Sequence, residues 1–285
     1  MTSYRPRRSV LYVPATNQKA MSKTETLPTD AIIFDLEDAV PPHAKTDARQ
    51  ALVQFFERNT ASTKERVIRI NAASTAWYAG DLAAAIHCKP DAVLLPKVNR
   101  AEDLLAIRHA IDVSGTTDIA IWAMIETPLG VVNIREIATL GADPSTKLQC
   151  FVAGTNDLAK ETGLSVATGR AAMMTWLAPV VVHAKAFGID MIDGVYNNFH
   201  NVGGFVAECE QAVGLGFDGK TLIHPSQIEP VNRCFSPTQE AVAEARKIIA
   251  AFAEPENAGK GVITVDGKMT ERLHAQMAER LLSRL

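Results

Sequence analysis

Ala120-Ile-Trp-Ala-Met-Ile-Glu126 and Leu148-Gln-Cys-Phe-Val-Ala-Gly154, the latter running on into Thr155-Asn-Asp157, are the stretches whose reading decides the fold. Each is an apolar run bounded by turn residues, the pattern of a strand buried on both faces of a parallel sheet. Each also delivers an acid at its downstream end, Glu126 in one case and Asp157 in the other. Two acids at the ends of two successive buried strands suit a small, oxygen-ligated divalent cation, and a chain that presents such a cation usually does chemistry with it.

Working outward, six more short β-type runs flank these two: Val10–Pro14, Ala31–Asp35, Arg66–Asn71, Ala92–Lys97, Asp190–Val195 and Lys220–His224. Helical periodicity fills the intervals, as in Thr46–Phe56, where Ala48, Ala51, Leu52, Phe55 and Phe56 share a face. Ala101–Val113, Met173–Phe187 and Phe205–Val213 follow the same rule. Repeated strand–helix units imply a parallel sheet, and eight units is the number that closes a (β/α)8 TIM barrel; a doubly wound open sheet is the alternative. Residues 1–231 are assigned to the barrel and residues 232–285 to a C-terminal extension. The extension reads as a helix over Pro237–Ala253, a loop at Asn257–Gly261, a hairpin-like stretch around Ile263–Val265 and Gly267, and a helix over Thr270–Leu285. It exceeds what a barrel needs and is expected to serve as a lid or an oligomer contact.

Composition removes several classes of function. The 285 residues are 47% hydrophobic and 21% charged with a net charge of −3, so nothing argues for nucleic acid or an anionic membrane surface as partner. No apolar stretch approaches the roughly 20 residues of a membrane span. Four cysteines without C-x-x-C spacing read as buried, reduced thiols, and with the absence of a signal-peptide pattern they point to the cytoplasm. Gly214-Leu-Gly-Phe-Asp-Gly-Lys-Thr221 matches a phosphate-binding loop letter for letter. That loop must lie between a strand and a following helix, whereas here a helix precedes and a strand stopped by Pro225 follows, so the stretch is read as a turn.

In a barrel the C-terminal ends of the strands converge on one face. There the sequence offers Asp35-Leu-Glu37-Asp38, Arg69 and Asn71, Lys97, Glu126, Asp157, Asp193 and His224. Each has a plainer reading. Glu126 fits a first-turn helix acid, Asp157 an N-cap, Arg69 and Lys97 charge partners, and Glu37 and Asp38 solvated loop acids. Their joint placement at strand ends is what favours a site.

The order of the motifs Arg8-Ser-Val-Leu-Tyr-Val-Pro14, Phe34-Asp-Leu-Glu-Asp-Ala-Val40, Arg69-Ile-Asn71, Leu95-Pro-Lys97, Ile125-Glu-Thr-Pro128, Gly154-Thr-Asn-Asp157 and Gly216-Phe-Asp-Gly-Lys-Thr-Leu-Ile-His-Pro225 resembles the citrate lyase β-subunit-like group of the HpcH/HpaI aldolase and citrate lyase superfamily. Malyl-CoA and citramalyl-CoA lyases belong alongside it. The resemblance covers most of residues 7–231. It implies a TIM barrel, Mg2+, and a homotrimer or hexamer. It also implies carbon–carbon cleavage, or formation, of a 3-hydroxyacyl-CoA such as citramalyl-, malyl- or citryl-CoA, giving an acyl-CoA and a 2-oxo acid. By position, Glu126 and Asp157 become the metal ligands, and Arg69 with the Glu126-bound metal holds the substrate. Glu37 and Asp38 become residues that order water at the metal, and Arg8, Lys19 and Lys23 lie near the CoA phosphates. The family's tail usually reads Met-Ile-Asp-x-Pro, with an Asp that reaches a neighbouring subunit as general acid/base. Here the corresponding stretch is Met269-Thr-Glu271-Arg-Leu273, which makes Glu271 the candidate. Two other expectations stay open: a CoA-independent metal aldolase acting on a 2-oxo-acid adduct, and a non-catalytic accessory subunit that binds an acyl thioester.

Overall fold

The computed structural model describes residues 5–116, 118–166 and 169–283. Their contacts divide into two units, Arg7–Asn232 and a smaller one made of residues 5–6 and 233–283.

The larger unit is a closed barrel of eight parallel strands in sequence order: β1 (Ser9–Pro14), β2 (Ala31–Asp35), β3 (Glu65–Arg69), β4 (Ala92–Leu95), β5 (Ala120–Ile125), β6 (Leu148–Ala153), β7 (Asp190–Asp193) and β8 (Gly219–Leu222). Closure is made by β1 against β8, with Ser9 opposite Lys220 and Leu11 opposite Leu222. The open doubly wound sheet is thereby excluded. Val10, Ile33, Val67, Leu94, Trp122, Val152 and Ile192 form one buried cluster contributed by successive strands. Such a filled interior is a core, and each large side chain sealed there contributes about 1.5–3 kcal/mol. Helices cover the outside. Lys45–Arg58 is seated on β2 by Phe55 and Phe56, whose ring centroids both lie 5.3 Å from that of Phe34.

The two ends of the barrel differ in chemistry. At the N-terminal end Arg7 is buried between Glu65 and Asp190, each at 2.7 Å, with its guanidinium 5.0 Å from the Trp122 ring. These three charges satisfy one another within the chain, which is the signature of a stabilising plug. The C-terminal end collects the polar strand ends.

The smaller unit holds the helix Gln239–Ala253, an antiparallel hairpin of β9 (Val262–Val265) and β10 (Lys268–Glu271), and the helix Arg272–Leu282. Phe252, Ile263 and Val265 form its own small core. The helix expected over Thr270–Leu285 therefore begins two residues late: Thr270 and Glu271 pair in β10, because the turn at Asp266 and Gly267 fixes the hairpin register. The end of that expected helix, Arg284 and Leu285, lies outside the described residues.

The phosphate-loop letters adopt the reverse of a phosphate-loop fold. The helix Val202–Leu215 ends on Gly216 at φ +98°, and β8 follows after Phe217 and Asp218. Lys220 points into protein, with Nζ bonded to Asp193, Gly194 O and Glu208 at 2.6–2.7 Å. Among the described residues no helix is long and apolar enough to cross a membrane.

Candidate active site

A cavity of about 330 Å3 opens among the C-terminal strand ends, lined by Tyr12, Arg69, Met124, Glu126, Gly154 and Asp157 with their neighbours. β2 supplies its first wall. Asp35, the last residue of that strand, is 1% exposed and accepts from the backbone N–H groups of Glu37 and Ala39 at 2.9 and 3.0 Å. That turn orients Glu37 and Asp38. It is pinned a second time by Lys45, whose buried ammonium donates to the carbonyls of Leu36 and Glu37 at 2.7 Å and to Asn71 at 2.8 Å.

Arg69, at the end of β3, grips Asp35 with two parallel bonds of 2.7 Å, from Nε and Nη2. Its Nη1 lies 2.8 Å from Glu37 Oε2 and 3.7 Å from Asp38. The Glu37 contact is misaligned for a hydrogen bond and leaves Oε2 buried without one, so the attraction is Coulombic. Burial raises the pKa of Asp35, but the charge and hydrogen bonds of Arg69 outweigh it and the net shift is downward. For Glu37 burial dominates, and with Glu126, Asp38 and Asp35 nearby its carboxyl is pushed up to about 8 against the pull of Arg69. Two carboxyls on one turn are thus driven apart by one guanidinium that pairs fully with the first and partly with the second.

Glu126 follows β5 and is 1% exposed. It accepts from the Lys97 backbone N–H at 2.8 Å. Burial pushes its carboxyl up to about 7; Lys97 opposes that shift and Asp157 reinforces it. Asp157 sits in the first turn of the helix Thr155–Thr162, which Gly154 caps, so it is not itself the N-cap. A Cβ on Gly154 would collide with the Glu126 side chain, so the bare glycine is what lets β6 end beside that carboxylate. Lys97 Nζ stands 3.0 Å from Asp157 and 3.6 Å from Glu126. Among the described residues no three His, Cys, Asp or Glu side chains are grouped as a metal-binding set. The pair Glu126 and Asp157 nevertheless fits a hard cation of the magnesium type: its donors are oxygens, few enough to leave positions for water and substrate.

The structure thus brings Arg69, Glu37, Asp38, Glu126 and Asp157 to one end of the barrel. It does not bring Arg8 there. Arg8 precedes β1, at the opposite end, and is bound to Asp30 through its backbone and guanidinium at 2.8–2.9 Å. A residue before a strand starts does not reach the end where the strand finishes, so Arg8 stands apart from the other candidates, Lys19 and Lys23 included. Lys19 and Lys23 do lie at the C-terminal end, exposed on the helix Gln18–Lys23 that follows β1. Asp193 is fully buried between Arg170 at 2.6 Å and Lys220 at 2.7 Å, a structural ion cluster. His224 stacks on Phe199 with centroids 4.5 Å apart and bonds Ser226. Glu271 belongs to the smaller unit, at the end of β10, with its N–H donating to His274 at 2.9 Å. Sequence reasoning named Asp35 in its motif without giving it a role, and missed Lys45 altogether. A run ending in three acids signals that a buried cation must answer them; a lysine at a helix start carries no such signal.

The family model for HpcH/HpaI aldolase/citrate lyase matches residues 8–225. The chain is 44% identical to a (3S)-malyl-CoA thioesterase of Cereibacter sphaeroides over 279 residues, covering 98% of this chain and 94% of that protein. It is 30% identical to the mitochondrial citramalyl-CoA lyase of Rattus norvegicus, covering 98% and 86% of the two chains. Among solved structures, CitE from Mycobacterium tuberculosis in complex with magnesium, acetoacetate and coenzyme A superposes with a TM-score of 0.79 at 30% identity, covering 98% of each chain.

Proposed function

The chain is an enzyme of the HpcH/HpaI aldolase/citrate lyase family, a family of lyases, and from that premise we propose that it cleaves or forms the carbon–carbon bond of a 3-hydroxyacyl-CoA, with an acyl-CoA and a 2-oxo acid on the other side. The observation that carries this reading is the convergence of Glu126, Asp157 and Arg69 on one cavity at the C-terminal mouth of a closed barrel. Glu126 and Asp157 would hold Mg2+, the metal present with CoA in the M. tuberculosis relative; when bound it supplies positive charge to the substrate's hydroxyl or keto oxygen.

The protein's own groups do the rest. Arg69, its plane fixed by the double bond to Asp35, presents Nη1 to the carboxylate of the oxo acid and stabilises charge beside the breaking bond. Glu37 and Asp38 order water at the same end of the cavity. Lys19 and Lys23 remain candidates for the CoA phosphates. Cleavage leaves a thioester enolate whose carbon needs a proton, and Glu271 of a second copy is our candidate donor. The assembly implied is a homotrimer or hexamer, and a cytoplasmic location suits a CoA enzyme.

A second reading is hydrolysis of the thioester, favoured by the 44% identity to a malyl-CoA thioesterase. Water would add to the thioester carbonyl and the C–S bond would break, releasing a hydroxy diacid and free CoA thiol. One assay separates the readings. Malyl-, citramalyl- and citryl-CoA are each incubated with the enzyme and Mg2+, and 2-oxo acid and free thiol are measured together. A 2-oxo acid without thiol is the expected result. Thiol without 2-oxo acid replaces the lyase by the hydrolase. Neither product from any of the three, nor any 2-oxo acid from the free hydroxy acids, leaves a binding protein and overturns both.

A further inference from the structure

The reaction outlined above has no task for Lys97, yet its geometry is unusual. Its φ is +53°, in the left-handed region that residues with a Cβ avoid. That conformation aims its N–H at Glu126 Oε1, 2.8 Å away, and folds its side chain back toward the same group. Nζ then lies 3.0 Å from Asp157 Oδ2 and 3.6 Å from Glu126 Oε1. One ammonium faces both acids that a divalent cation would need.

The ammonium also has somewhere else to go. Lys97 lines a second cavity, of about 550 Å3, which it shares with Asn99, Asp103, Thr127 and Glu161. Its side chain is 36% exposed, against 1% for that of Glu126. The second cavity gives the side chain room away from both acids, and the carboxylates of Glu161 and of Asp103, the latter already capping its helix, stand on its wall.

We propose that Lys97 is a built-in counter-ion for the metal site: its ammonium compensates Glu126 and Asp157 until a divalent cation arrives, and must be displaced into the adjoining cavity for that cation to bind. The inference rests on the metal reading of Glu126 and Asp157. Its physics is competition. A buried carboxylate without a counter-ion is costly, so Lys97 stays while the site lacks another cation. A divalent ion between the same oxygens would lie within a few ångströms of the ammonium, where like charges repel strongly at protein permittivity. Binding is thus weakened by the population in which the lysine occupies the acids.

The test is Mn2+ titration of the chelator-treated, substrate-free protein, followed by calorimetry and by the electron paramagnetic resonance of free Mn2+, with Mg2+ as competitor. Lys97→Met removes the charge and keeps the length; Lys97→Gly removes the charge and relieves the left-handed backbone. Both should bind Mn2+ about tenfold more tightly than the wild type, and both should melt lower without metal and gain more from its addition. Circular dichroism reports their folding. Equal or weaker Mn2+ affinity in both variants, with Glu126→Gln still abolishing binding, overturns the counter-ion role and leaves the metal reading intact. Absence of Mn2+ binding in the wild type and both variants overturns the metal reading and this inference with it.

Discussion

Arg69 holds the charge balance of the C-terminal mouth. Asp35 is all but sealed from solvent and relies on the two 2.7 Å bonds from this guanidinium. Arg69→Met leaves that carboxylate uncompensated, a loss of about 3–5 kcal/mol, and calorimetric melting should fall by about 10 °C. A variant melting like the wild type would mean that Asp35 is neutral in the folded protein. pH dependence separates the two acids. Asp35, with its folded pKa below the ordinary 3.8, adds stability that is present above that value and is lost as the solution is acidified through the depressed one. Glu37 runs the other way. Its carboxyl is raised from 4.5 to about 8, so the folded state binds its proton more tightly and stability drains away as pH rises between those values. In metal-free buffer Glu37→Gln should therefore melt above the wild type near pH 8 and lose that advantage near pH 5, a differential of about 10 °C. Identical pH profiles would remove burial as the force on Glu37. At this scale Glu126, Asp157 and the Asp35–Asp38 acids were legible because charge at the end of a buried run is costly without a reason. Lys45 was not, since the carbonyls it binds are identified only once the turn after β2 is folded.

Elements were legible where one interaction dominates. The eight strands are buried on both faces, so each reads as an apolar run, and the expected runs overlap the observed strands throughout. Their downstream ends were set too late by up to two residues, as at β4, which stops at Leu95 and not Lys97. Apolar character continues past the last ladder bond, and the left-handed Lys97 shows where the chain leaves the sheet. The helices Tyr78–Cys88 and Thr155–Thr162 went unread because small or polar residues fill them and their cover of the barrel is narrow. Glycines test this scale directly. Gly219 opens β8 against the Arg7 carbonyl at the closing seam, where an added Cβ would clash with backbone. Gly214, five residues earlier and inside a helix, has open space. Gly219→Ala should cost about 1–3 kcal/mol or more through overpacking, whereas Gly214→Ala should gain about 0.5–1 kcal/mol. Denaturant titration of the pair decides whether the glycines of this phosphate-loop look-alike serve barrel closure; equal effects would deny Gly219 that part.

For the whole molecule, the count of eight strand–helix units was enough to close the barrel, because eight parallel strands filled by branched side chains leave no edge to protect. What one chain's sequence pattern does not reveal is how copies assemble, since an isologous or cyclic contact leaves no periodicity within the chain. The smaller unit has its own core and exposes Val262, Met269, Leu273 and Met277 on its hairpin and last helix. If Glu271 serves a second copy, as proposed, each working site needs the barrel of one chain and the tail of another. Glu126→Gln should then be inactive through its barrel and Glu271→Gln through its tail, while both keep the oligomeric mass of the wild type in sedimentation. Co-expressed from one cell, the two variants should regain activity, because roughly a quarter of randomly assembled sites pair an intact barrel with an intact tail. A mixed oligomer without activity would require both residues to act within one chain, and full turnover by Glu271→Gln alone would remove the tail acid from the chemistry.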